Sequence, residues 1–200
     1  MLVEGARLGR SGWGCEFDAR YGILACRNVE LVDGATVRLE VGKDARSELK
    51  YVGGLACIIT SPPYPNAHDA GSSEKQEVLR QKAKLHAGQG YRIAPGHLLH
   101  GNWRTNFIEL WQACRPALAY NGVLCVITKD WVEEDQRFDF TRIVAEGIRD
   151  AGYELVGRHW RVVDRVGFHT FGHRTQYRKK TGRVPLFIDH EDVIIARSAE

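Results

Sequence analysis

Residues 58–64 read IITSPPY, so a run of apolar and β-branched residues leads directly into Ser61, two prolines and Tyr64. Proline fixes its own φ, lacks an N–H group and pushes the preceding residue into an extended conformation. Ser61, Pro62 and Pro63 are therefore predicted to form a rigid, extended segment with carbonyl groups available to a ligand. A hydroxyl, a carbonyl acceptor and an aromatic face together suit a planar ring that bears an amino group, as a nucleobase does. The alternative is a turn that ends a strand and packs its tyrosine.

Acidic residues lie at the ends of two other predicted strands. Glu16 and Asp18 close the strand SGWGCEFD, and Asp44 follows the strand ATVRLEV. An acid at the end of such a strand commonly accepts hydrogen bonds from a ribose, a role that we favour for Glu16. Asp18 precedes a predicted helix, so we expect it to cap that helix. Phe17 packs either on an adenine ring or in the core, and Asp44 lies either near an adenine or in a solvated turn.

Strand patterns alternate with helix patterns along the chain. The apolar runs GLACIIT and VLCVIT are typical of strands covered on both faces, the segments ARYGILACRNV, WRTNFIELWQACRPALAYNG and FTRIVAEGIRDAG are typical of helices, and the strands YELVGRHWRVV and HEDVIIARS come last. This alternation predicts an α/β fold with a mostly parallel sheet and helices on both faces. In such sheets the ligand lies beyond the carboxyl ends of the strands, where Glu16, Asp44, Ser61 and Lys129 all fall.

The composition is that of an ordinary globular protein. The chain has 200 residues, 44% of them hydrophobic and 26% charged, with a formal net charge of +3 at pH 7. This suits a single domain that buries a sizeable core. The five cysteines form no CxxC pair and the histidines lack metal-ligand spacing, so we expect neither disulfides nor a metal site. We expect a cytoplasmic protein, because no apolar stretch approaches membrane-spanning length and no signal peptide is recognisable.

The TSPPY segment after a buried-type strand resembles the catalytic motif of the amino-group DNA methyltransferases. These enzymes methylate exocyclic nitrogens of cytosine or adenine with S-adenosylmethionine. The resemblance covers nearly the whole chain: residues 3–31 resemble the helix, second strand and helix that follow the family's glycine-rich cofactor loop, and GKDAR resembles the segment that contacts the cofactor's adenine. ALAYNGVLCVITKDW and HEDVIIARS are similar to the family's fifth and last strands. The resemblance implies the Rossmann-like fold of S-adenosylmethionine-dependent methyltransferases, in a protein of a bacterium, an archaeon or a phage.

The resemblance also implies roles for individual residues. Glu16 would bind the ribose of the cofactor and Asp44 would contact its adenine, with Phe17 beside them among the predicted cofactor-binding residues. The catalytic residues would be Ser61, Pro62, Pro63 and Tyr64. The Ser61 side chain and the Pro62 carbonyl would accept hydrogen bonds from the target amino group and draw its nitrogen towards a tetrahedral geometry. Tyr64 would stack on the flipped base, which is either cytosine (N4) or adenine (N6).

One part of the family pattern is not found in this sequence. The family's phenylalanine–glycine loop follows its first strand and holds the methionine end of the cofactor, whereas this chain starts at Met1 in the helix after that loop. GWG at residues 12–14 opens a strand and is no substitute. We therefore expect the first strand to be missing and the cofactor to bind weakly or not at all, unless a second chain supplies the loop. The alternatives are a DNA-binding remnant or companion subunit, or a methyltransferase that acts on RNA or on protein glutamine.

Two segments, GRHWRVV and HRTQYRKKTGR, concentrate basic residues with aromatic residues between them. They are typical of a surface that contacts the phosphates of double-stranded DNA, although a solvated basic loop is the alternative. An insertion at about 65–102 is predicted to close over the target base or to read the DNA sequence, and a basic loop spans about 163–188 of the single domain 1–200. The predicted DNA contacts are Arg158, Arg161, Arg174, Arg178, Lys179 and Lys180.

Overall fold

The computed structural model describes residues 1–34, 36–65, 96–133, 136–162, 188 and 190–198. Contacts divide the chain into two compact units, which are Met1–Val52 with Pro63–Ala113 and Gly53–Pro62 with Cys114–Glu200. Most of the predicted insertion at 65–102 and nearly all of the predicted basic loop at 163–188 lie outside the described residues. The single domain over 1–200 and the missing first strand of the family accordingly stay predictions.

The first unit contains a pair of parallel strands and several helices. Its elements are α1 (Leu2–Arg7), β1 (Gly12–Glu16), α2 (Ala19–Glu30), β2 (Val37–Val41), α3 (Ala45–Glu48), a 3-10 turn (Leu49–Tyr51) and most of α4 (Trp103–Cys114). Strands β1 and β2 pair in parallel, with Gly12 opposite Val37 and Glu16 opposite Val41. The carboxyl ends of both strands therefore lie at the same edge of this unit.

Glycines let the helices of this unit approach its strands closely. A Cβ atom at Gly14 of β1 would lie 2.6 Å from Leu2 Cδ1 of α1, and one at Gly22 of α2 would lie 2.6 Å from Val41 Cγ1 of β2. Close-packed interiors do not accommodate such overlaps, so a side chain at Gly14 would displace the end of the Leu2 side chain, and one at Gly22 would push α2 away from Val41. The GWG sequence thus belongs to β1 and to the packing of α1, in agreement with its predicted place at the start of a strand.

The second unit contains a four-stranded sheet in the order β3–β4–β8–β7. Its elements are β3 (Leu55–Thr60), β4 (Leu118–Thr128), the short pair β5 (Trp131–Glu133) and β6 (Gln136–Phe138), α5 (Phe140–Asp150), β7 (Tyr153–Val162) and β8 (His190–Ser198). Strand β3 pairs with β4 in parallel, whereas β8 runs antiparallel to both β4 and β7. The sheet is mixed, so the prediction of a mostly parallel sheet is wrong.

Both antiparallel pairs of this sheet involve β8, which lies between β4 and β7. Parallel neighbours require a crossover connection, which is usually a helix. The alternation rule therefore holds for the parallel pairs β1–β2 and β3–β4 and fails at the last two strands.

Helix α5 covers one face of the four-stranded sheet. Phe140, Val144 and Ile148 recur every four residues and share one face of the helix, and each is at most 1% exposed. Helix α5 contacts β4, β7 and β8. The apolar side chains buried on the paired strands β4 and β8 are Leu124, Val126, Ile194 and Ala196. Full burial of one such large aliphatic side chain stabilises the fold by about 1.5–3 kcal/mol, so this packing fixes the sheet edge at which β4 ends.

Candidate active site

Glu16 lies where the two strands of the first unit end side by side. It is the last residue of β1, and its backbone carbonyl accepts a hydrogen bond of 2.8 Å from the N–H of Gly42, just beyond β2. Gly42 has a φ of +70°, a left-handed conformation that favours glycine and lets the chain turn at the strand end. The Glu16 carboxylate accepts through Oε1 from the Asp18 N–H at 2.9 Å. Glu16 thus occupies the strand end that the sequence predicted.

The pKa of the Cys15 thiol reflects the negative charge at this edge. Its pKa is raised to about 12, first by burial and then by the negative charges of Glu48, Asp44, Glu40 and Glu16. The two predicted cofactor carboxylates therefore both act on the same half-buried thiol. An edge with this many carboxylates suits ligand hydroxyl and amino groups, because these groups donate hydrogen bonds to carboxylate oxygens.

Asp18 caps helix α2, as the sequence predicted. Its Oδ1 accepts from the Arg20 N–H at 2.9 Å, and its Oδ2 lies 2.6 Å from Arg20 Nη2. The hydrogen bonds from the Arg20 side chain hold the pKa of Asp18 at about 2. The Asp18 carboxylate is therefore engaged by the backbone at the start of α2 and by the Arg20 side chain.

Asp44 caps helix α3 in the same way. Its Oδ1 accepts from the Arg46 N–H at 2.9 Å, and its Oδ2 accepts from Arg46 Nη2 at 2.7 Å. The side chain is 26% exposed, so it does not form the fully solvated turn that was the alternative. Each carboxylate oxygen has two lone pairs, so an amino group would share an oxygen with Arg46. The contact of Asp44 with adenine stays a prediction.

The Phe17 side chain lies against the residues that precede α4. Its ring meets the buried ring of His97 edge-on, with 5.7 Å between the ring centroids and 72° between the ring planes. A Cβ atom at Gly96 would lie 3.4 Å from Phe17 Cε2, and Gly96 itself has a φ of +91°. Residues 96 and 97 therefore form a wall beside the Phe17 ring, which the sequence predicted to pack either on an adenine or in the core.

Arg46 is a residue of this edge that the sequence analysis missed. Its guanidinium donates to Asp44, to the Gly96 carbonyl at 2.9 Å and to Glu109 Oε2 at 2.9 Å. The hydrogen bonds with Asp44 and the neighbouring negative charges raise the pKa of Arg46 further, so it remains a cation. A local signal existed in the sequence, because Arg46 stands two residues after Asp44 just as Arg20 stands two residues after Asp18.

The SPPY segment leaves the sheet where the sequence predicted. Strand β3 ends at Thr60, which lies opposite Val126 near the end of β4, and Ser61 follows as an exposed residue. Pro62 is buried, and Pro63 and Tyr64 are half-buried. The boundary between the two units falls between Pro62 and Pro63, so Ser61 and Pro62 are described with the second unit and Pro63 and Tyr64 with the first. The catalytic roles of these four residues stay predictions.

A buried polar cluster lies at the end of β4, and the sequence analysis missed it. Its members are Thr128, Asp130, Thr141 and Asp192, each at most 2% exposed. The Thr128 and Thr141 hydroxyls are 2.9 Å apart, and Thr141 Oγ1 donates to Asp192 Oδ2 at 3.1 Å. Asp130 Oδ1 accepts from the Thr141 N–H at 2.9 Å, in the first turn of α5. The cluster therefore joins β4, α5 and β8 beside the strand end that precedes Lys129.

Two of the predicted DNA-contacting arginines form ion pairs with acids on β8. Arg158 Nε donates to the buried Asp192 at 2.8 Å, and Arg161 Nη1 lies 3.4 Å from Glu191 Oε2. Trp160 between them is 75% exposed. The other four predicted contacts, Arg174, Arg178, Lys179 and Lys180, lie outside the described residues. Contact of all six with DNA stays a prediction.

Metal-binding clusters and membrane-spanning helices are both absent from the part of the chain that the structure describes. No three histidine, cysteine, aspartate or glutamate side chains there are placed to hold a metal ion. No helix there is long and apolar enough to cross a membrane.

Solved structures of other proteins resemble this chain in fold. A precorrin-6y C5,15-methyltransferase from Geobacter metallireducens GS-15 is 12% identical, with a TM-score of 0.51 over 98% of this chain and 72% of that chain. TrmN from Thermus thermophilus is 13% identical, with a TM-score of 0.53 over 98% of this chain and 40% of that chain. A candidate DNA modification methylase from the same species, complexed with S-adenosyl-L-methionine, is 13% identical, with a TM-score of 0.47 over 78% of this chain and 54% of that chain.

These likenesses concern the fold alone, because the identities are low. No family model and no curated protein matches this sequence. The chain spans about half the length of the DNA modification methylase structures that it matches. The chain therefore has a methyltransferase-like α/β fold with a mixed sheet.

Proposed function

We propose that this chain is an S-adenosylmethionine-dependent methyltransferase that acts on the exocyclic amino group of cytosine (N4) or adenine (N6) in DNA. The observation that carries the proposal is the exposed Ser61 directly after β3, followed by two prolines and Tyr64. The methyltransferase-like fold supports the reaction class. The proposal includes no second polypeptide.

The edge formed by Glu16, Phe17 and Asp44 fits the nucleoside half of the cofactor. Ribose hydroxyls donate hydrogen bonds, and Glu16 offers Oε2 beside the Oε1 that already accepts from Asp18. An adenine amino group donates as well, and Asp44 provides the acceptor, while Phe17 provides an apolar face. When bound, the cofactor would supply a methyl group on a sulfonium, so that the sulfur–methyl bond breaks as the nitrogen–methyl bond forms, a thioether leaves, and the amino nitrogen gives up one proton to solvent.

The chain's own contribution to the transfer is to prepare the target nitrogen. The lone pair of an exocyclic amino group is delocalised into the base ring, which makes that nitrogen a poor nucleophile. Ser61 Oγ and the Pro62 carbonyl would accept hydrogen bonds from this amino group. These hydrogen bonds favour a tetrahedral nitrogen whose lone pair is available. The two acceptors are held by the stiffness of the double proline, so this stabilisation is preorganised for the transition state.

Stacking on Tyr64 would hold the target base outside the duplex. Removing a base from the stack costs a few kcal/mol, and contact with an aromatic face offsets about 1–3 kcal/mol of it. Because the transfer is a direct displacement, it requires no covalent intermediate with the enzyme. Burial raises the pKa of the Cys57, Cys114 and Cys125 thiols, so these thiols are poor nucleophiles in any case.

The test is the transfer of a labelled methyl group to duplex DNA, single-stranded DNA and RNA of one sequence. The products are digested to nucleosides and identified by mass spectrometry. We expect N4-methylcytosine or N6-methyladenine from DNA, and we expect the Ser61→Ala protein, whose fold is checked by circular dichroism, to form much less. Label confined to RNA would favour the RNA methyltransferase alternative. No label in any nucleic acid, from a folded chain at the highest soluble cofactor concentration, would favour a DNA-binding remnant.

A further inference from the structure

The tripeptide Asp-Ala-Arg occurs twice, at residues 18–20 and 44–46, directly beyond the ends of β1 and β2. In both copies the aspartate caps the following helix and accepts from the backbone N–H and the guanidinium of the arginine. The surroundings of the two arginines differ, because the Arg20 side chain is 46% exposed and the Arg46 side chain is 18% exposed. The second copy therefore does more than cap a helix.

Arg46 connects Asp44 to residues far along the chain. Its Nη2 donates to the Gly96 carbonyl at 2.9 Å, and its Nη1 donates to Asn106 Oδ1 at 3.0 Å and to Glu109 Oε2 at 2.9 Å. A guanidinium has five N–H donors in a fixed plane, so a single side chain is able to serve all of these acceptors. Arg46 thus joins the end of β2 to α4 and to the residues before it.

Residues 96–100, here called the 96–100 turn, are fixed from both ends. Arg46 holds the Gly96 carbonyl, and Asn106 Nδ2 donates to the Leu98 carbonyl at 3.0 Å and to the His100 carbonyl at 2.8 Å. Within the turn, His97 Nδ1 accepts from the Leu99 N–H at 3.1 Å. This is the same turn whose Gly96 and His97 form the wall beside Phe17.

We propose that Arg46 is a positioning residue for the adenine of the cofactor, because it orients the Asp44 carboxylate and holds the 96–100 turn against Phe17. This inference rests on the proposed function. The Arg46 guanidinium holds both oxygens of Asp44, since Nε donates to Oδ1 at 3.2 Å and Nη2 donates to Oδ2 at 2.7 Å, which leaves a defined direction for one further donor. An adenine amino group fits that direction. The carbonyl of hypoxanthine does not, because it places an acceptor against a carboxylate.

The structural half of the proposal is tested without any cofactor, by hydrogen exchange of the Leu99 and His100 amides. Both amides are hydrogen-bonded within the turn. We expect Arg46→Gln to speed their exchange roughly tenfold or more, because it removes charged hydrogen bonds that hold the turn. The matched control is Arg20→Gln, which removes the equivalent local ion pair and should leave both amides unchanged. Equal exchange in the two variants would overturn the coupling of Arg46 to the turn.

The selectivity half is tested by calorimetry with S-adenosylhomocysteine and S-inosylhomocysteine. We expect the wild-type chain and Arg20→Gln to prefer the adenine compound by at least about tenfold, since a site built for an amino donor rejects an analogue without it. Arg46→Gln should lose most of this preference, and so should Arg46→Lys, whose ammonium retains the charge but lacks the planar donors. If Arg46 had a merely structural role, its replacement would weaken the binding of both compounds equally, and the ratio of their Kd values would stay the same.

Each outcome separates this inference from the proposed function. A full preference in both Arg46 variants would overturn the inference and leave the methyltransferase proposal standing. Binding of neither compound by the wild-type chain would overturn the proposed nucleoside site in this chain, and the selectivity half would fall with it. If Arg46→Gln does not fold, Arg46→Lys serves in both experiments, because it keeps a cation between Asp44 and Glu109.

Discussion

Replacement of Asp130 by Asn tests whether the buried polar cluster holds α5 on the sheet. The Asp130 side chain is fully buried, and its carboxylate accepts from the Thr141 N–H at 2.9 Å and from Arg137 Nε at 2.7 Å. Asparagine keeps an oxygen that can accept from the Thr141 N–H. Its NH2 group, however, would face the Arg137 guanidinium, and because both groups are donors that hydrogen bond is lost. One hydrogen bond with a charged partner is worth about 1.5–3 kcal/mol, and a buried amide left unpaired costs a further 1 kcal/mol or more.

Arg137 is 43% exposed, so water compensates part of its loss. We therefore expect Asp130→Asn to lower the free energy of unfolding by about 2–3 kcal/mol. The measurement is urea unfolding followed by far-ultraviolet circular dichroism. Asp139→Asn is the matched control at the start of the same helix, since Asp139 is 45% exposed and asparagine caps helices as well as aspartate does. The control should change stability by less than about 0.5 kcal/mol.

A second check is the pH dependence of the difference in the free energy of unfolding between the wild-type protein and Asp130→Asn. Burial by itself raises the pKa of Asp130, but the hydrogen bonds from Thr141 and Arg137 outweigh it and hold the pKa below 3.8. A lowered carboxylate pKa contributes stability that is complete above the ordinary pKa and is lost as the pH falls through the lowered value. The gap between wild type and Asp130→Asn should therefore shrink in acid. A gap no larger than that of Asp139→Asn, or one that persists unchanged in acid, would refute this reasoning.

Three further changes test the predicted site. Tyr64→Ala should abolish methyl transfer to duplex DNA while the circular dichroism spectrum stays unchanged, and near-wild-type turnover would disprove the stacking role. Glu16→Gln should raise the calorimetric Kd for S-adenosylhomocysteine about tenfold, because charged acceptors bind hydroxyls more strongly than amides do, and an unchanged Kd would remove Glu16 from the ribose site. Replacing Arg178, Lys179 and Lys180 by Ala should flatten the salt dependence of DNA binding by about one unit of slope per lost phosphate contact, and an unchanged slope would make the cluster a solvated loop.

Local patterns in the sequence predicted what depends on local chemistry. The end of β3 at Thr60 follows from the prolines beyond it, which have no N–H for a sheet. The capping role of Asp18 follows from its place directly before a helix pattern. The end of β4, next to Lys129, follows in the same way from an apolar run that stops at polar residues.

Features that depend on distant partners were not predictable from those patterns. The buried polar cluster assembles Thr128 and Asp130 with Thr141 and Asp192, which come from separate elements of the second unit. In sequence each of these residues is an ordinary polar residue at a strand or helix end, and such residues are usually solvated. The direction of β8 likewise depends on which strand it pairs with, and its own alternating residues are compatible with either direction.

The two Asp-Ala-Arg segments show, within one molecule, the difference between a feature that local sequence determines and a feature that distant partners determine. The same three residues produce the same helix cap twice, because a cap depends only on the aspartate and on the backbone two residues ahead. What distinguishes Arg46 is supplied by its partners, since Gly96 and Glu109 lie 50 and 63 residues away in sequence. A cap is worth about 1 kcal/mol wherever it occurs, whereas a guanidinium that also orders a turn can set the shape of a binding site. The proposed role of Arg46 therefore depends on its contacts with α4 and the 96–100 turn as much as on the Asp-Ala-Arg segment itself.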